Sequence, residues 1–88
     1  MRIFKYKLNI EEIQFVAMPK GAKVLTVQTQ KGYPCIWAIV DPQAEIENKK
    51  ICMRGTGHDA SEVKDMCYIG TFQRYGGEMI FHVFIGEL

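Results

Sequence analysis

The stretch Arg54-Gly55-Thr56-Gly57-His58 holds the densest set of groups with chemistry to offer. Glycines at 55 and 57 permit positive φ and close backbone approach, so successive N–H groups can converge on an anion. Thr56 adds a hydroxyl donor, and Arg54 and His58 add charge or a further hydrogen bond. A helical turn starting near Asp59 would reinforce such a cradle with its free N–H groups, while the Asp59 carboxylate would compete with an anionic ligand. The competing reading is a tight turn or β-bulge in which the glycines serve backbone geometry alone.

Trp37 is a second candidate, because an indole can stack on a nucleobase or anchor an interface. Its neighbours Ile36, Ala38 and Ile39 also suit a core tryptophan. His82 shares a strand face with Ile80 and Phe84, where an imidazole is either hydrogen-bonded within the packing or pairs with a base or phosphate. Tyr33, Tyr68, Phe72, Arg74 and Tyr75 cluster near hairpin signals; an aromatic and guanidinium wall around a base and ordinary sheet packing both fit them.

A catalytic set is hard to assemble. Serine occurs once, at Ser61, no close His-Cys or His-Ser pairing stands out, and the two histidines have no obvious metal partners. Joint phosphodiester chemistry by His58 and His82 is the one enzymatic option the residues leave. No cofactor or metal is expected, and a binding role is.

These groups must be positioned by a small fold. Eighty-eight residues suit one domain spanning 1–88, with a core modest enough that a homo-oligomer is expected. Eleven basic against ten acidic residues leave no basic excess for the backbone of duplex nucleic acid, though a local nest can still hold a small phosphate ligand. Cys35, Cys52 and Cys67 are odd in number and far apart, which argues for buried thiols in a reducing cytosol. No apolar run reaches the length of a membrane span, and the N-terminus lacks a signal core, so a location inside the cell is expected.

Period-2 alternation predicts strands at 4–8 and 24–30, and an apolar run predicts another at 13–17. The segment 46–53 reads as a weaker strand with Lys49 and Lys50 inside it, 67–73 is strand-like, and 79–85 is aromatic and β-branched throughout. The run Cys35 to Val40 is apolar throughout, which predicts a central strand covered on both faces. Met18-Pro19-Lys20-Gly21, Lys31-Gly32 and Gly76-Gly77 read as turns, with Pro19 in the second position of the first. Asp59 and Glu62 have capping-box spacing, and Lys49, Lys50, Glu45 and Glu47 read as a solvated strand edge. The fold class predicted is mainly β: a compact antiparallel β-sandwich or barrel-like sheet of about six or seven strands, with at most one short helical turn.

The blocks Pro19-Lys20-Gly21-Ala22-Lys23-Val24-Leu25, Gly32-Tyr33-Pro34-Cys35-Ile36-Trp37-Ala38-Ile39-Val40-Asp41, Gly55-Thr56-Gly57-His58, Tyr68-Ile69-Gly70-Thr71-Phe72 and Phe81-His82-Val83-Phe84 together resemble a family of small, largely phage-encoded proteins of unassigned function. The resemblance covers residues from about 3 to 84 and implies a host cytoplasm as the setting. In size and style such proteins are similar to phage sponges that sequester nucleotide second messengers of bacterial immunity, the cyclic oligonucleotides of CBASS defence. By that analogy Gly55, Thr56, Gly57 and His58 would hold phosphate, Arg54 would neutralise it, Trp37 or Tyr68 would stack on a base, and His82 would complete the site. An interaction or phage-assembly module with no small ligand is the alternative, and a small His-dependent phosphodiesterase a second one.

Overall fold

Each of the expected strands forms. The computed structural model describes residues 1–86 and contains β1 (Arg2–Lys7), β2 (Ile13–Pro19), β3 (Lys23–Gln30), β4 (Tyr33–Val40), β5 (Ile46–Gly55), β6 (Cys67–Arg74) and β7 (Met79–Ile85), with a 3-10 turn at Tyr75–Gly77. All pairing is antiparallel, in a three-stranded sheet β1-β4-β3 and a four-stranded sheet β2-β5-β7-β6. The chain is therefore a two-sheet, mainly β fold, as the alternation predicts. Among the described residues no helix is long and apolar enough to cross a membrane.

The core draws on both sheets: Val27 and Ile36 from one, Met18, Ile51, Met53, Phe72 and Val83 from the other, with Leu8 from the crossing between them. Burying each such side chain contributes roughly 1.5–3 kcal/mol, which makes the inward face of every strand the one that sets register. The crossing from β1 to β2 is tied down by the buried side chain of Gln14. Its Nε2 donates to the Asn9 carbonyl at 2.7 Å and its Oε1 accepts from the Asn9 amide at 2.9 Å. The opposite edges of the sheets, β3 and β6, lie side by side, and Thr29 Oγ1 donates to the Gln73 carbonyl at 3.3 Å.

Several local expectations shift. Ala22 N–H donates to Pro19 O, so the first turn has Pro19 in its first position and Gly21, at φ +82°, in its third. A positive φ at the third position requires glycine more strictly than the fourth position would, and that moves the turn by one residue. Asp59 and Glu62 make no capping box: the Asp59 carboxylate accepts from the amide and hydroxyl of Ser61, and the chain continues in separate turns. Lys49 and Lys50 lie in β5, an interior strand, and Lys49 pairs with Glu47 at 2.9 Å. Of the cysteines, Cys35 and Cys52 are buried and Cys67, on edge strand β6, is exposed. β4 is central, but only its inward face and Cys35 are closed off; Trp37 and Ile39 on the other face are half-buried.

Candidate functional site

The glycine loop is a tight turn. His58 N–H donates to Gly55 O at 3.0 Å and Thr56 N–H donates to Ile80 O at 3.2 Å. Two of the amides that an anion nest would need are thus committed to carbonyls. Gly57 is favoured because it sits at φ +88°, and at Gly55 the absent β-carbon lets the His58 ring lie where such an atom would be only 2.8 Å away. Arg54 is buried, and its Nη1 donates to the carbonyls of Glu12 and Met53, each at 2.8 Å. That role corrects the expectation that Arg54 neutralises a phosphate: this nitrogen braces β5 against the segment entering β2. His58 lines two small clefts whose walls also carry Glu11, Glu12 and Glu78, which repel an anion.

A different group of polar side chains does assemble, on the outer face of the four-stranded sheet. Val83 is in the core, so His82 points away from it. Its Nε2 lies 2.8 Å from Thr56 Oγ1 and its Nδ1 3.0 Å from Thr71 Oγ1. Thr71 in turn shares a short hydrogen bond with the Tyr68 hydroxyl. A neutral imidazole donates at one nitrogen and accepts at the other, and a hydroxyl can serve either need, so the row Thr56, His82, Thr71, Tyr68 is satisfied in either tautomer. It holds the ring in one orientation.

Residues three apart on a regular strand face opposite ways, yet Tyr68 and Thr71 share a face. The cause is a bulge in β6, where pairing shifts register between Tyr68 opposite Phe84 and Gly70 opposite Val83, leaving Ile69 unpaired. The bulge re-aims Tyr68 outward, where its ring packs on Phe84 with centroids 5.5 Å apart and stays 59% exposed. β3 carries a matching irregularity between Val24 and Thr26, leaving Leu25 unpaired.

Both bulged residues line one cleft of about 500 Å³ between β3 and β6, together with Lys23, Lys49, Tyr68, Ile85 and Gly86. Bulges bend strands, and here they do so on both sides of the same opening. The cleft offers apolar walls, an exposed aromatic ring at its margin and two ammonium groups, the combination expected for a small anionic ligand with an apolar or aromatic part. Among the described residues no group of three or more His, Cys, Asp or Glu side chains is placed to hold a metal ion.

Of the residues singled out in the sequence, Thr56, His82 and Tyr68 come together. Gly55 and Gly57 shape the turn that presents Thr56. Trp37 does not join them: Ile36 is in the core, so Trp37 lies on the outer face of the three-stranded sheet, on the other side of the molecule. His58 and His82 are separated as well. The His58 ring lies against the inward side of Gly55, which pairs with inward-facing Phe81, whereas His82 faces out. Thr71, Lys23 and Lys49 were missed by sequence reasoning. Thr71 was within reach, since counting back from the Arg74–Met79 pair at the second hairpin sets it opposite His82.

No curated protein and no solved structure matches the chain. One family model does, over residues 1–88, and the chain accordingly belongs to the family described as a domain of unknown function, DUF7352.

Proposed function

We propose that this chain is a non-catalytic binding protein for a small phosphate-bearing ligand, a nucleotide second messenger such as a cyclic oligonucleotide, taken up in the cleft between β3 and β6. The observation that supports this reading best is the pair of bulges at Leu25 and Ile69, which line one opening beside Lys23, Lys49 and Tyr68. Lys23 and Lys49 would meet phosphate as mobile point charges, Lys49 exchanging its Glu47 partner for the ligand. Tyr68 would stack on a base, with its hydroxyl anchored by Thr71, which His82 holds in turn. Sequestration needs affinity without turnover, which suits a histidine whose two nitrogens are both engaged by threonine hydroxyls. In a phage-infected bacterium such a protein would act as a sponge for an immune signal.

Purified protein incubated with a panel of cyclic di- and trinucleotides, then desalted and heat-denatured, tests the reading. Intact nucleotide released on denaturation, and at least tenfold weaker retention by Tyr68→Ala or Lys49→Glu, is the expected result. Linearised product would replace it with an enzymatic function. Retention of no nucleotide by the wild-type protein would overturn it in favour of an interaction or assembly module.

A further inference from the structure

The net charge of +1 conceals a division between the two halves of the fold. β1, β3 and β4 contain four basic residues, Arg2, Lys5, Lys7 and Lys23, and no acidic one. The rest of the chain holds seven basic and all ten acidic residues. The three-stranded sheet is thus a positive layer on a protein that is otherwise acidic.

Register places the lysines on its outer face. Lys5 and Thr26 flank Trp37, Lys7 and Gln28 flank Cys35, and Lys23 stands opposite Ile39. Among the described residues the only ion pair is Lys49 to Glu47, so none of these lysines is matched by a carboxylate. Their contacts are of another kind: Lys7 Nζ lies 3.7 Å from the centroid of the Tyr33 ring, and Lys5 Nζ donates to Gln30 Oε1 at 2.6 Å. Tyr33 is 51% exposed and Trp37 half-buried, four residues apart on one strand face, which spaces the rings by about 13 Å.

From this arrangement we infer that the outer face of β1-β4-β3 is a binding surface for single-stranded nucleic acid, with Trp37 and Tyr33 as stacking platforms and Lys5, Lys7 and Lys23 along the phosphate path. Rings on an open sheet face accept unpaired bases and cannot reach the stacked bases of a duplex, which is why single strands are the fitting partner. The missing carboxylates spare a polyanion the repulsion that the ten acidic residues in the rest of the chain would exert. The surface meets the cleft at Lys23, which borders both, but Trp37, Tyr33, Lys5 and Lys7 lie outside the cleft, so the inference does not depend on the function proposed for it.

Trp37 is the only tryptophan in the chain, so intrinsic fluorescence reports on this surface directly. Titration of the full-length protein with a twelve-nucleotide oligothymidine should quench Trp37. Affinity should fall about tenfold or more between 50 and 200 mM salt, as expected when a few phosphates are neutralised. A duplex of the same length should bind at least tenfold more weakly. Lys5→Glu combined with Lys7→Glu, both exposed positions, should weaken binding at least tenfold while leaving the far-ultraviolet dichroism unchanged, and Tyr68→Ala should leave the quenching curve intact. Absence of quenching at low salt, equal affinity of the lysine variant, or equal affinity for duplex would each overturn the inference. So would a protein dimer, detected by sedimentation without oligonucleotide, that the lysine variant dissolves, because the face would then be an interface between copies of the chain.

Discussion

Gly70 of β6 lies directly over Val27 of β3, so close that a β-carbon at position 70 would stand 2.9 Å from Val27 Cγ1. Val27 is 2% exposed and belongs to the core, so it has no free direction in which to yield. Gly70→Ala should therefore cost about 1–3 kcal/mol in urea denaturation, the range for an overpacked core. Val27→Ala should recover part of that loss in the double variant, because the two changes act on one contact. Strictly additive losses would show that the edges of the two sheets do not meet here.

Arg54 acts as a brace. Arg54→Met keeps most of the aliphatic volume and removes the Nη1 bonds to the carbonyls of Glu12 and Met53. A stability loss of about 1.5–3 kcal/mol is expected, as for hydrogen bonds to a charged group. Nucleotide retention per folded molecule should stay at the wild-type level, since the guanidinium is turned to the backbone. A variant as stable as the wild type but unable to retain ligand would return Arg54 to the binding site.

The two histidines should respond independently to substitution around His82. Thr71→Val takes away the partner of Nδ1 and leaves Thr56 on Nε2. The ring 15N shifts of His82 should move and stability fall by about 0.5–1.5 kcal/mol, while the His58 signals stay in place across the sheet. Movement of both sets together would indicate a coupled pair and reopen phosphodiester chemistry.

Acid should loosen the loop after β5. The Ser61 hydroxyl and amide both donate to the Asp59 carboxylate and, with a smaller contribution from the Arg54 charge, hold its pKa below the ordinary value. A carboxylate depressed in the folded state adds stability that is fully present above its unfolded pKa and disappears as pH falls through the folded one. Ser61→Ala should move the Asp59 carboxyl titration upward in NMR and make the pH dependence of loop amide exchange shallower. An unmoved titration would show that Ser61 does not hold the carboxylate.

The strands could be read from the sequence because period-2 alternation is a local property and every strand here has one face against the core. Lys31-Gly32 and Gly76-Gly77 were legible for the same reason, since a two-glycine or Lys-Gly loop constrains only its own backbone. The alternation also set His82 opposite in sense to Val83, whereas the uneven distribution of charge emerges only once pairing joins β1, β4 and β3 in one sheet. Which residues share a site was decided by the tertiary structure. Leu25 and Ile69 are unremarkable apolar residues until strand pairing leaves each unpaired, and that pairing places Tyr68 beside Thr71 and brings Lys23 and Lys49 to one cleft from strands of different sheets. Arg54-Gly55-Thr56-Gly57-His58 offered donors enough for an anion, but the carbonyls of Gly55, Ile80, Glu12 and Met53 reach those donors first, and no local pattern records where a carbonyl from another strand will stand.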